Sequence, residues 1–228
     1  MTVLESLRDG LVVSSQVMNA ASPLSDPGIL SRMAKAAELG GAAGFRVDGP
    51  QVVADLRSRT VLPIIGIKKN RLPGADVYIT TSIADALDLV DAGADIVAAQ
   101  ATTGARPHDS FAEIVAAVHR RGALVMADIA TFDEGVAALA DGADLVATTM
   151  AGFTTGTAGT KRPAVELARA LCAITEAPVV VEGGIWSGED VAAAFRAGAA
   201  TVVVGSAVTA PDLITAHLIA TAKKHLAS

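Results

Sequence analysis

The 228-residue chain contains one cysteine, Cys172, one tryptophan and one tyrosine, and aromatics make up only 3% of it. A lone cysteine excludes an intrachain disulfide framework. Basic residues are in deficit as well: 18 Lys and Arg face 24 Asp and Glu, a formal net charge of −6. So few aromatics and no basic excess exclude the stacking surface and cationic stripe of a nucleic-acid binder. If the ligand is an anion, its positive partner must be local. Long apolar runs are missing too. The chain is 51% hydrophobic, yet Arg196 interrupts the longest membrane-span candidate and Glu182 the one before it. No stretch therefore reaches the roughly 18 uncharged apolar residues that a span needs. Glu5, Arg8 and Asp9 stand where a signal peptide has its apolar core. The expectation is a soluble, cytoplasmic protein with no membrane partner.

What is present is aliphatic: Ala, Val, Leu and Ile, with 21 Gly. Four segments resemble one another, LGGAAGFRV from Leu39, DAGADIVAA from Asp91, DGADLVAT from Asp141 and RAGAATVVV from Arg196. Each reads as a helix end, a glycine stop and a strand apolar on both faces. Other strand candidates lie between them: LVVSSQ from Leu11, PIIGI from Pro63, ALVMAD from Ala123 and PVVVEGG from Pro178. Segments with apolar residues near a 3.6 period separate the strands, at 29–39, 82–92, 110–120, 163–174, 188–197 and 211–226. Ser82, Ser110 and Ser187 stand where an N-cap is wanted. No linker or composition shift divides residues 1–228, so they read as one domain. Eight strands alternating with helices predict a single-domain α/β fold, the closed (β/α)8 TIM barrel. An open doubly wound sheet is the alternative, without a dinucleotide fingerprint to support it.

In such a barrel, chemistry sits where the strands end. Those ends supply Gln16, Arg46, Lys69, Gln100, Asp128, Thr148 and Thr149, Glu182, and Gly205 with Ser206. In PIIGIKKNR, Lys68 and Lys69 are adjacent, so at most one need face the mouth; there, desolvation can make it a base near neutral pH. Glu182 follows four apolar residues and precedes Gly183 and Gly184. The paired GG and GS at the last two strand ends suit a phosphate site built from backbone N–H groups. Asp128 fits an orienting or hydroxyl-binding role, with no ligand-spaced cluster around it to hold a metal. His119, His217 and His225 lie in helical patterns, and His108 is in the loop after strand four. Cys172 reads as a small core residue and Trp186 as either a cover for the mouth or a packing residue.

The segments VVSSQ (12–16), RMAKAAELGGAAGFR (32–46), LPIIGIKK (62–69), DVYIT (76–80), MADIAT (126–131), TTMAGFT (148–154), VEGGI (181–185) and VVVGSAVT (202–209) span nearly the whole chain. Taken in this order they resemble the N-acylglucosamine-6-phosphate (N-acetylmannosamine-6-phosphate) 2-epimerase family. The resemblance implies a (β/α)8 barrel that inverts C2 of an N-acetylhexosamine 6-phosphate in amino-sugar catabolism, without a cofactor or metal. It implies Lys69 and Glu182 as catalytic residues. It also implies Gln16, Arg46, Asp128 and Arg106 as sugar-binding or orienting residues; the expectation of phosphate at Gly183, Gly184, Gly205 and Ser206 rests on the GG and GS strand ends themselves. Opening the sugar to an aldehyde acidifies the C2 proton, and inversion needs proton exchange on both faces. Gln16 and Arg46 are candidate donors to the anionic oxygen that forms.

The chain also departs from the family pattern. Gly184 stands where the family commonly has arginine after the glutamate, Ser206 where it has a second glycine, and Ala210 where it has another arginine. Gln100 replaces a usual acidic residue. Arg162, Lys161 or Lys68 could supply the missing charge, backbone amides could suffice, or the substrate could differ. A related sugar-phosphate epimerase or isomerase, and a non-catalytic sugar-phosphate-binding protein, stay open as alternatives. The partner expected is a small phosphosugar, and apolar helix faces admit a homodimer.

Overall fold

The computed structural model describes residues 2–17 and 22–226. Its strands are β1 (Gly10–Ser15), β2 (Gly44–Asp48), β3 (Ile64–Ile67), β4 (Ile96–Gln100), β5 (Leu124–Asp128), β6 (Leu145–Ala147), β7 (Val179–Glu182) and β8 (Thr201–Val204). Every neighbouring pair is parallel, and β8 returns to β1 to close the barrel in chain order. Closure removes the open-sheet alternative: parallel strands joined by short helical crossovers leave no unpaired edge once β8 meets β1.

The helices are α1 (Val3–Leu7), α2 (Pro27–Leu39), α3 (Pro50–Arg57), α4 (Ile83–Asp91), α5 (Phe111–His119), α6 (Phe132–Ala140), α7 (Val165–Cys172), α8 (Gly188–Arg196), α9 (Ser206–Thr209) and α10 (Pro211–Leu226). Ser82, Ser110 and Ser187 cap α4, α5 and α8, each hydroxyl accepting from the backbone N–H three residues on. Such caps satisfy donors that a helix start leaves orphaned. The glycine stops behave alike. Gly41, Gly93, Gly142 and Gly198 all adopt φ between +94 and +103°, the left-handed turn from which β2, β4, β6 and β8 start.

The apolar residues sort by strand parity. Val12, Ile65, Ile67, Ile96, Ala98, Met126, Leu145, Ala147, Val180 and Val203 fill the barrel interior as one cluster. Their alternates, among them Val13, Phe45, Val97, Val125, Val146, Val181 and Val202, pack against the helices in another. Side chains alternate with period 2 along a strand, so residues two beyond an interior position also point inward. This rule carries directly from the core to the mouth. Among the described residues, no helix is long and apolar enough to cross a membrane.

Candidate active site

Interior parity runs 12, 14, 16 on β1; 46, 48 on β2; 65, 67, 69 on β3; 126, 128 on β5; 145, 147, 149 on β6; and 180, 182 on β7. At the C-terminal end of each strand it passes from aliphatic to polar: Ser14 and Gln16, Arg46 and Asp48, Lys69, Asp128, Thr149, Glu182. Except for Asp48 and Asp128, these residues line one cavity of about 300 Å³. The same cavity is bordered by Gly183, Gly184, Gly205 and Ser206 at the ends of β7 and β8.

At the bottom of this mouth lies a buried charge network. The Arg46 guanidinium donates through Nη1 to Glu182 Oε1 at 2.7 Å and through Nη2 to Asp128 Oδ2 at 2.6 Å. Its side chain is only 1% exposed. Thr149 joins the two carboxyls from the other side: its Oγ lies 2.5 Å from Asp128 Oδ1 and 3.2 Å from Glu182 Oε2. The neighbouring Thr148 hydroxyl donates to the Glu182 carbonyl and accepts from its N–H, both at 3.2 Å, which fixes the backbone at the strand end. Burial pushes the Glu182 carboxyl up to about 7, Asp128 pushes the same way, and Arg46, Thr149 and Lys69 oppose them. Although burial opposes it, the two adjacent carboxyls hold the Arg46 guanidinium above its ordinary range, so it stays charged.

Lys69 sits in a lighter environment. Its side chain is 18% exposed, and the ammonium donates to Gln16 Oε1 and lies 3.8 Å from Asp48 Oδ2. Gln16 in turn donates to Ser14 Oγ at 2.8 Å. Desolvation lowers the Lys69 pKa, Asp48 and Glu182 resist, and Arg46 and Arg71 add to the lowering. Lysine and glutamate each sense the other's charge, which opposes the effect of burial on both. The segment around Lys69 is not a loose loop. Residues 76–80 fold back on it: Lys69 bridges antiparallel to Ile79, Asn70 N–H donates to Tyr78 O at 2.8 Å, and Thr80 N–H donates to Lys68 O at 2.8 Å. Lys68, of opposite parity, turns outward to Asp85 at 2.6 Å and Asp88 at 3.7 Å. The choice between the two lysines is thus made by strand parity.

Gln100 does not leave a gap in a sugar pocket. It is fully buried and sews the 76–79 segment to β4: its Oε1 accepts from Tyr78 N–H at 2.9 Å, and its Nε2 donates to Thr102 Oγ at 2.7 Å and Asp76 O at 3.2 Å. A carboxylate could not supply the two donated bonds. Arg106 donates to the Gln100 carbonyl and lines a second cavity, between α5 and α6, with Thr102 and Glu134. That cavity is separate from the mouth, and His108 borders neither. Trp186 both lines the mouth and packs, stacking on His217 of α10 with ring centroids 4.3 Å apart. Asp48 was not singled out from sequence, and Thr149 was named at a strand end without a role. Each lay in plain view on interior parity, two residues after Arg46 and after Ala147. Among the described residues no cluster of His, Cys, Asp and Glu could hold a metal ion.

Fold and site together define a (β/α)8 barrel whose mouth faces a buried carboxyl with a desolvated amine, the equipment for taking and returning a proton at carbon. Residues 30–224 match the family model described as "Putative N-acetylmannosamine-6-phosphate epimerase". A Thermosynechococcus vestitus protein named "Putative N-acetylmannosamine-6-phosphate 2-epimerase" is 41% identical over 98% of this chain and 97% of its own. A Brucella melitensis "Bifunctional enzyme NanE/NanK" is 40% identical over 93% of this chain but 40% of its own, so the likeness there covers one part of a longer protein. The solved N-acetylmannosamine-6-phosphate 2-epimerase of Clostridium perfringens superimposes with a TM-score of 0.93 at 34% identity, covering 97% of this chain and 96% of that one. A thiamine phosphate pyrophosphorylase from Pyrococcus furiosus, at 17% identity and a TM-score of 0.62, shares the fold alone. The chain belongs to the N-acetylmannosamine-6-phosphate epimerase family.

Proposed function

We propose that the protein interconverts N-acetylmannosamine 6-phosphate and N-acetylglucosamine 6-phosphate by exchanging the C2 proton between Lys69 and Glu182. The observation that carries this reading is the pairing itself. Burial raises the pKa of the carboxyl and lowers that of the amine, so both approach neutrality from opposite sides. In the open-chain aldehyde, one group takes the C2 proton and the C–H electron pair moves onto the C1 oxygen as an enolate. The other group returns a proton to C2 from the opposite face, and the enolate collapses to the aldehyde. In one direction Glu182 is the base and the Lys69 ammonium the acid; in the other, neutral Lys69 is the base and protonated Glu182 the acid. Both directions therefore start from a pair that holds one proton.

Arg46 and Asp128 serve this chemistry from behind. Both terminal nitrogens of Arg46 are given to carboxyls, and Asp128 is fully buried and does not line the cavity. Their part is to hold Glu182 in one rotamer. Gln16 holds the lysine ammonium and, at the cavity wall, can donate to the sugar. Gly183, Gly184, Gly205 and Ser206 form the phosphate end, where backbone N–H groups reach an anion without obstruction by side chains. Arg106 lies in the second cavity, and a contact with sugar would require movement of the loop after β4.

The localisation we propose is cytoplasmic, where phosphosugars reside. We also propose a homodimer: α10 buries none of its 16 residues against the barrel, leaving Leu218 62% and Ile219 52% exposed. Light scattering at twice the chain mass checks it; a monomer at micromolar concentration sinks it. The activity is tested by NMR in deuterium oxide with N-acetylmannosamine 6-phosphate. Deuterium should enter C2 as N-acetylglucosamine 6-phosphate accumulates, and Lys69→Ala should abolish both signals with the fold intact. Binding that raises Tm without any C2 exchange would identify a binding protein instead.

A further inference from the structure

Four cationic side chains border the mouth cavity, and they are held in two ways. Arg46 is engaged by Asp128 and Glu182, and Lys69 by Gln16 with Asp48 nearby. Arg71 and Arg162 lie instead over aromatic rings. The Arg71 Cζ is 3.7 Å from the Tyr78 ring centroid and the Arg162 Cζ is 4.2 Å from that of Phe153. Among the described residues neither arginine forms a salt bridge. Stacking uses the face of a guanidinium and leaves its N–H edge for an acceptor lying in its plane. Phe153 is half exposed, so the ring serves as an open shelf for that plane.

Position separates the two. Arg71 and Tyr78 flank Lys69 on the β3 side. Arg162 closes the β6–α7 loop directly against Gly184: a Cβ built there would stand 2.5 Å from Arg162 Cβ and 3.0 Å from its carbonyl carbon. Gly184 also adopts φ +78°, so for both reasons position 184 cannot carry a side chain without a shift of the loop. At the glycine-lined end of the cavity the bordering cationic side chain is thus that of residue 162, and the β7 turn itself carries none. The other basic candidates are accounted for. Lys68 points outward to Asp85 and Asp88, and Lys161 does not border the cavity.

We propose that Arg162 is the side chain that binds the phosphate of the substrate, its guanidinium edge donating to two oxygens while the Phe153 ring holds its plane. This rests on the sugar-phosphate reading and deepens it. Preference for a phosphorylated over an unphosphorylated sugar then resides on the β6–α7 loop, apart from the groups that move the proton. Arg162 is exposed, and an unchanged Tm in Arg162→Ala separates a loss of binding from a loss of folding.

The test compares kcat and KM for N-acetylmannosamine 6-phosphate in wild type, Arg162→Ala and Arg162→Lys. Losing a charge-assisted bidentate contact should raise KM by about 10- to 100-fold while kcat stays within about threefold. Lysine should recover part of the loss as a point charge. The inhibition constant of inorganic phosphate should weaken in parallel. An unchanged KM in Arg162→Ala, or equal inhibition of wild type and variant by phosphate, overturns the proposal. Should the wild type fail to turn over the sugar, direct titration with inorganic phosphate followed by 31P NMR still decides it. Binding lost in Arg162→Ala supports the phosphate site although the sugar reading has failed. Equal binding, or none to the wild type, overturns it.

Discussion

The two halves of the proposed acid–base pair are housed unlike one another. Glu182 lies in a buried lattice of one guanidinium, two carboxyls and two threonine hydroxyls. Lys69 stands at the cavity wall, held by a neutral amide and a carboxylate 3.8 Å away. The carboxyl side is a buried, charge-dense socket and the amine side keeps some contact with solvent. Both settings remove water, and desolvation acts oppositely on the two groups because it always disfavours the charged form. One barrel mouth thereby draws a carboxyl upward and an ammonium downward. The charge density around Glu182 also makes that side the fragile one, since a buried ion that loses its partner is costly, whereas the lysine keeps some contact with solvent.

The sharpest way to break this asymmetry is at the reacting groups. Glu182→Gln should lower kcat by roughly 10²–10⁴-fold, the range for removing a general acid–base, and C2 deuterium exchange should fall with it. Comparable turnover in this variant would leave the lysine side acting alone. Next is the socket. Arg46→Ala strands two buried carboxyls and should cost about 3–5 kcal/mol, read as a fall in Tm of about 10 °C. Gln16→Ala, on the lightly held side, should leave Tm within about 2 °C while KM rises. Equal destabilisation of the two variants would remove the distinction.

The pH profile sharpens the comparison further. In the proposed mechanism only the pair with one proton is active, in either direction. As pH falls below about 7, Glu182 takes up a proton while Lys69 keeps its own, and the base is lost. As pH rises through the lowered Lys69 pKa, no proton is left to return, and activity falls again. The result is a bell with the same two limbs forward and backward. The Thr149 hydroxyl lowers the Glu182 pKa, so Thr149→Val should move the acid limb upward, costing up to about tenfold at pH 6 and little at pH 8. Thr149→Ser should restore it. A uniform loss across pH would make Thr149 a packing residue only. The smallest effect belongs to Lys68→Ala, a partly exposed ion pair whose loss should stay within about 0.5 kcal/mol with kcat/KM unchanged.

Much of this site follows from reading each strand in steps of two. Val12 to Ser14 and Gln16, Ile67 to Lys69, Met126 to Asp128, and Val180 to Glu182 are each one step from core to mouth. The step also tells Lys69 from Lys68 and points to Asp48 and Thr149. Gln100 is on the same ruler, two beyond Ala98, yet where a carboxylate was expected it proves to be the fastening between β4 and the 76–79 segment. Residues on loops had no such ruler. Arg106, only six residues further on, turns to a different cavity because the loop after β4 has no period to fix its direction. Arg162 was one of three basic residues that could have supplied the missing charge, and its place on the cavity wall against Gly184 singles it out.

The amino-acid sequence by itself determined the alternation of strands and helices, the glycine stops that start β2, β4, β6 and β8, and the strand ends at which polar residues gather. These are local matters, set by hydrophobic period, capping and backbone conformation within a few residues. Only the tertiary structure decided that Arg46 spans Asp128 and Glu182, residues 82 and 136 positions away, and that Thr149 closes the ring. Closure of the barrel creates those contacts. No local signal encodes a distance across the mouth, because that distance depends on the register of all eight strands at once.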